Sequence, residues 1–183
     1  MSKVKSYIKD TNDFLNYLPQ ATKNGTILVS FNVTNLYSNI EHNLGLEAIE
    51  YWLDKYPEYI PNRISKSLLI QGTKFILENN FFYFNNKHYR QIKGTAMGTK
   101  VAPTYATLVL GYLEIRLYDK VEEQFGNSFR KYIEDNRKHF LDDCFILWPR
   151  TDDDLEKFRK LLNDLHPALS FTGRKRYKIT TIP

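Results

Sequence analysis

Asp142 and Asp143 stand side by side between two apolar stretches, Phe140-Leu141 before them and Cys144-Phe145-Ile146-Leu147-Trp148 after them. Ionised carboxylates cannot be carried into a core without partners, so the pair marks the tip of a buried hairpin, with Cys144 to Trp148 as the return strand. Glu134-Asp135, after Tyr132-Ile133, resembles it superficially, but polar Asn136-Arg137-Lys138 follows and supplies no apolar return. Two adjacent aspartates are by themselves usually a solvated turn. Their meaning depends on what the rest of the chain brings beside them.

Upstream, Thr26 to Val33 (TILVSFNV) follows the turn signal Asn24-Gly25 and reads as a central strand. Ile27, Val29, Phe31 and Val33 share one face, and Leu28, Ser30 and Asn32 the other. Helices are expected from about Asn43 to Lys55 and from Ile64 to Glu78, where apolar residues recur at helical spacing, with Pro57 and Pro61 between them. The stretch FFYFNNKHYRQ, from Phe81, predicts a hairpin about Asn85-Asn86, a pair that tolerates positive φ. From Pro103 a long amphipathic helix runs to about Gln124, and Gly126 stops it. Thr151 caps a further helix with Asp152, Asp153 and Asp154 in its first turn; Pro167 ends it, and LSFT forms a last short strand. This order predicts an α+β fold: a small antiparallel sheet with helices packed on one face and the other face free for a ligand. With 183 residues, 42% hydrophobic, the chain can bury one substantial core, so a single domain over residues 1–183 is expected.

The formal charge is +5, with the excess in Lys3, Lys5 and Lys9, around Arg137 and Lys138, and in Arg174-Lys175-Arg176, which suits a polyanionic partner. The lone cysteine, Cys144, excludes an internal disulfide and any multi-cysteine metal knuckle. No apolar run approaches the roughly 18 residues that span a bilayer, and the start MSKVKSYIKD lacks a signal-peptide core, so an intracellular protein, in nucleus or cytoplasm, is expected.

Four segments carry a family resemblance. FNVTNLYSNI is similar to the first active-site motif of reverse transcriptases in its Penelope-like retroelement form, Phe-Asp-Val-x-x-Leu-Tyr-x-Asn-Ile. QIKGTAMGTKVAPTYATLVLGYLE resembles the second motif, HFLDDCFILW the third and LEKFRKLLNDLHPALSFT the fourth, in order over roughly Asp10 to Thr172. The resemblance implies a polymerase palm and RNA-directed DNA polymerase chemistry, in which magnesium or manganese ions, about 3.5–4 Å apart when paired, assist phosphoryl transfer. It implies Asp142 and Asp143 as metal ligands, with the Val33 backbone adding a carbonyl. It places Tyr37 where an aromatic excludes a ribose 2′-hydroxyl, and Met97 and Gly98 in the loop against the incoming nucleotide. RNA template, DNA primer and deoxynucleoside triphosphate are the implied partners. The aromatic stretch Phe81 to Tyr89 is expected to pack in the core, with a base-stacking surface as the lesser alternative.

The departures bear on activity. Asn32 stands where the family has its first metal-binding aspartate, Thr107 where it has asparagine and Glu41 where it has proline. A neutral amide removes one unit of charge facing the cations, worth on the order of 4 kcal/mol at 4 Å and an effective dielectric of about 20. The chain is also expected to lack the upstream fingers and the downstream primer grip and thumb. Two readings follow: a reverse-transcriptase domain that does not polymerise alone, or a degenerate or domesticated palm that binds nucleic acid or a protein partner without chemistry. A dimer module is a distant third.

Overall fold

The computed structural model describes residues 3–178, with side chains to Gly173. In chain order the elements are α1 (Thr11–Tyr17), β1 (Ile27–Val33), α2 (Leu36–Asn39), α3 (His42–Lys55), a 3-10 turn (Pro57–Tyr59), α4 (Lys66–Glu78), β2 (Phe81–Phe84), β3 (Lys87–Arg90), α5 (Ala102–Phe125), α6 (Asn127–Asn136), β4 (Arg137–Phe140), β5 (Asp143–Trp148), α7 (Asp152–Asn163) and β6 (Phe171–Lys178). They divide into two compact units, Met1–Thr34 with Leu113–Pro183, and Asn35–Tyr112. No helix among the described residues is long and apolar enough to cross a membrane.

The first unit is built on an antiparallel sheet in the order β4-β5-β1-β6. Strand alternation puts Val29, Phe31 and Val33 of β1 on one face with Cys144, Ile146 and Trp148 of β5, all buried. Helices α6 and α7 cover that face. Trp148 meets Phe129 and Phe158 with ring centroids 5.3 Å apart in both cases, and Phe31 meets Phe158 at 6.3 Å. Burying each such side chain is worth about 1.5–3 kcal/mol, so this aromatic cluster holds the strands in place. Thr151 caps α7 by accepting from the Asp154 amide at 3.2 Å. At the far end of α7 the Asn163 side chain accepts from Phe171 N–H at 2.9 Å and donates to Phe171 C=O at 3.2 Å, fixing where β6 begins.

Three expectations change here. The residues between the long helix and the carboxylate hairpin form α6, which absorbs Tyr132 to Asp135; Phe129 and Ile133, one turn apart, supply its buried stripe. The basic pair Arg137-Lys138 is buried, 3% and 6% exposed, and does not serve a polyanion. The sheet's other face is partly covered, because α1 places Phe14 against Phe145 at 4.7 Å. The outer edge of β4 is also paired: His139 N–H donates to Ser6 C=O at 2.7 Å and Ile8 N–H to His139 C=O at 3.0 Å. Arg174-Lys175-Arg176 lies in β6, with side chains outside the described ones.

In the second unit α3 lies on the first half of α5. Trp52 Nε1 donates to Leu108 C=O at 2.8 Å. Gly45 of α3 faces the Tyr105 ring so closely that a Cβ would overlap it. Ser65 caps α4 by accepting from Leu68 N–H at 3.1 Å. Asn85 and Asn86, at φ 48° and 58°, close the β2–β3 hairpin with a two-residue turn of the kind that matches strand twist. Every residue of this hairpin is exposed, which overturns its core packing. Phe82 and Tyr89 stack on each other, with centroids 5.4 Å apart and planes 16° apart, instead of entering a core.

Candidate functional site

The carboxylate pair sits at the β4–β5 turn. Phe140 pairs with Asp143, leaving Leu141 and Asp142 as a two-residue loop in which Leu141 adopts φ 51°. For a residue with a branched side chain that conformation costs roughly 1–2 kcal/mol, so neighbours must hold it. His139 Nδ1 lies 3.3 Å from Leu141 C=O, and Val33 N–H donates to Asp142 C=O at 2.8 Å. The end of β1 is thereby tied to the loop, and Val33 does so through its amide.

Asn32 lies directly opposite Asp143 in the β1–β5 register. Paired residues of antiparallel strands project to the same face with Cβ atoms about 4.5–5.5 Å apart. Asn32 is 9% exposed and Asp143 is exposed, so the amide lies at the edge of the core and the carboxylate in solvent. On its other side Asn32 pairs with Thr172, whose hydroxyl donates to Asn32 C=O at 3.4 Å. The strand ends thus bring Asn32 together with Asp142 and Asp143, 110 and 111 residues further along the chain.

Beneath the turn lies a buried polar network that sequence reading missed. Glu114 of α5 accepts from the Ser6 hydroxyl and pairs with the Arg137 guanidinium, and Arg137 also donates to Cys144 Sγ at 3.5 Å. Burial alone would raise the Glu114 pKa, but Arg137, His139 and Ser6 outweigh it and hold the carboxyl below the usual carboxylate range. Burial, opposed by Glu114, holds the His139 imidazole below its ordinary value, and its Nε2 has no hydrogen-bond partner. Burial also pushes the Cys144 thiol up to about 11, which leaves it unreactive near neutrality. A glutamate directly after the apolar run Leu108 to Leu113 was the available signal; its partners, 23 and 108 residues away, were not legible.

The remaining candidates belong to the second unit. Tyr37 is half-buried in α2 and its carbonyl accepts from Thr95 N–H at 2.7 Å. Met97 is 75% exposed, and Gly98 lies in the same loop with open space where a Cβ would stand. Gly94 is the glycine that close packing demands: φ is 74°, and a Cβ would stand 2.6 Å from Ser38 Cα. Its amide donates to Ile40 C=O at 2.9 Å, and His42 Nε2 lies 2.9 Å from its carbonyl. The start of the second motif is therefore clamped onto the end of the first.

Asp142 and Asp143 offer hard oxygen donors of the kind divalent magnesium or manganese takes. Among the described residues no three His, Cys, Asp or Glu side chains cluster as metal ligands. Asp142 and Asp143 supply two carboxylates next to one another in sequence, with Asn32 opposite Asp143 in the strand register.

No family model and no curated protein matches the chain. Solved structures do. An apo telomerase from Candida tropicalis truncated from its C-terminal domain superposes with a TM-score of 0.68 at 13% identity, over 97% of this chain and 37% of that one. The apo telomerase from the same organism gives 0.64 at 16% identity, over 94% and 33%. The chain spans about a third of the length of these structures. The fold is that of a reverse-transcriptase-like palm, an α+β arrangement with a small antiparallel sheet.

Proposed function

We propose that this chain is a reverse-transcriptase palm of the Penelope-like retroelement type, RNA-directed DNA polymerase by descent, that does not catalyse DNA synthesis by itself. The observation that carries the reading is the register in which Asn32 stands opposite Asp143 while Val33 binds the Asp142 backbone. That is the place a polymerase palm gives its first aspartate, and here it holds a neutral amide. Asp142, Asp143 and the Val33 carbonyl would hold one magnesium or manganese ion weakly. Such an ion supplies charge neutralisation for a phosphate group. The protein's own contribution is to fix two carboxylates at a rigid turn, through Val33, His139 and the network beneath it. Asn32 also favours the second reading, a degenerate or domesticated palm that keeps nucleic-acid binding without chemistry. Tyr37, Met97 and Gly98 are proposed to face the nucleotide, with an RNA template and DNA primer as partners.

Calorimetric titration with manganese separates the possibilities. Asn32→Asp should tighten binding by at least about tenfold, each factor of ten corresponding to ~1.4 kcal/mol, and Asp142→Asn should abolish it. Equal affinities for the wild type and Asn32→Asp would remove Asn32 from the site. Template-directed extension of a primer by the wild-type chain would overturn the proposed lack of catalysis.

A further inference from the structure

The β2–β3 hairpin is four-plus-four residues with nothing buried, yet five of its eight strand positions are Phe or Tyr: Phe81, Phe82, Tyr83, Phe84 and Tyr89 are between 41% and 68% exposed, against His88, Lys87 and Arg90. Strands that serve only a core alternate inward and outward residues. Here both faces are aromatic and both meet solvent. The cross-strand pairs sort them: Phe82 with Tyr89 and Phe84 with Lys87 form one face, Phe81 with Arg90 and Tyr83 with His88 the other. On the first, Phe82 and Tyr89 stack near-parallel and stay 51% and 41% exposed, with Phe84 and Lys87 next along it.

Charge identifies the occupant. From Asn79 to Leu113 the sequence contains no aspartate or glutamate, while Lys87, Arg90, Lys93 and Lys100 all fall within it. Among the described residues none of these four is in an ion pair, unlike Lys66 or Arg130 elsewhere in the chain. Exposed aromatic rings interleaved with unpaired cations complement a ligand that has flat π-faces at intervals along a polyanionic backbone. A protein partner would need carboxylates interleaved with its apolar contacts to match this surface, whereas a nucleic-acid strand carries flat rings and regular negative charge together.

We propose that the Phe82, Phe84, Tyr89 face of the β2–β3 hairpin is a stacking platform for unpaired bases of a nucleic-acid strand, with Lys87 and Arg90 meeting its phosphates. This deepens the palm reading, since it assigns the single-stranded part of a bound nucleic acid to a surface outside the carboxylate site. Stacking is tolerant of sequence, so the platform accepts any base and discriminates instead against duplex, whose bases are already stacked.

Fluorescence anisotropy with the full chain and a short labelled oligodeoxynucleotide tests it in three forms: single strand, duplex, and an abasic strand of equal length. The wild type should bind the single strand most tightly. Phe82→Ser/Phe84→Ser should weaken that binding on the order of tenfold or more, since each base–aromatic stack is worth about 1–3 kcal/mol and ~1.4 kcal/mol is tenfold. The same variant should leave abasic binding unchanged, and Phe82→Trp should retain single-strand binding. Lys87→Gln/Arg90→Gln should weaken both single strands and flatten the salt dependence. Circular dichroism melting verifies that each variant folds. Equal loss on the abasic strand, unchanged affinity in the double serine variant, or no single-strand binding by the wild type would overturn the platform. So would a change in the chain's own association state on gel filtration without a change in nucleic-acid affinity, which would make the hairpin a protein interface. Failure of the palm reading would show in the manganese titration of Asp142→Asn, which the hairpin variants do not touch.

Discussion

The β4–β5 hairpin carries Arg137, Lys138 and His139 and buries all three, whereas the β2–β3 hairpin carries Phe81, Phe82, Tyr83 and Phe84 and exposes all four. Both turn in two residues. Residue type alone would have assigned the inside and outside the other way round. The difference is one of position: β4 lies in a four-stranded sheet, with helices on one face and the N-terminal segment along its edge, while among the described residues β2 and β3 pair only with each other. The buried charges are tolerable because each meets a specific partner. Arg137 has Glu114; Lys138 Nζ donates to Lys5 C=O at 3.1 Å and lies 4.2 Å from the Tyr17 ring centroid; His139 stays neutral. The exposed aromatics forgo burial and meet neighbours within their own hairpin: Phe82 stacks on Tyr89, and Tyr83 meets His88 at 4.9 Å and donates to Asn86 Oδ1 at 3.0 Å.

The widest separation between the two hairpins should appear when each loses a side chain. Glu114→Gln leaves the Arg137 guanidinium buried without its counter-charge, and breaking such a pair costs about 3–5 kcal/mol. Phe84→Ser, at an exposed position, should fall within about 0.5 kcal/mol of wild type. Urea unfolding of both variants measures the contrast, and similar midpoints would break it.

A smaller effect should separate them with pH. His139 is buried with its pKa below the ordinary 6.5 and faces Glu114, Arg137 and the Tyr7 ring, so the unfolded chain binds its proton more readily than the folded one. That contribution to stability is complete above pH 6.5 and is lost as the pH falls from there toward the folded value. Glu114, held below its ordinary 4.5, adds a second loss at lower pH in the same direction. Thermal melting between neutral and mildly acidic pH should therefore show falling stability, and His139→Gln should flatten the upper part of the decline. No change of slope in that variant would remove His139 as the cause.

The smallest effect concerns the turns. Asn86→Gly relieves the φ of 58° but removes the bond that Asn86 Oδ1 accepts from Tyr83 OH at 3.0 Å, so the β2–β3 hairpin should gain no more than about 1 kcal/mol, given the cost of a left-handed residue. Amide exchange of the Phe81 to Arg90 backbone reads it locally. Slower exchange throughout the whole chain would mean that the hairpin is not the independent element described above.

Much of the architecture was legible in the residues. The apolar run Cys144 to Trp148 placed β5, the Asn85-Asn86 pair placed a turn, and the recurrence of apolar residues after Pro103 placed α5, because period and turn chemistry are local properties. Helix α6 escaped because its stripe is only Phe129 and Ile133 within a polar segment. At the site the carboxylates and the suspect Asn32 stood out in the sequence, whereas Gly94 did not, since the demand on it comes from the backbone of Ser38, 56 residues earlier. Local period and turn chemistry set most of the strands and helices, α1 and α6 excepted, and showed where the carboxylate pair and the aromatic run stand in the chain. Tertiary structure alone decided that Asn32 faces Asp143, that Arg137 enters the core against Glu114, and that the aromatic hairpin remains in solvent. Those outcomes depend on which distant element covers a given face, and burial is a property of the assembled position.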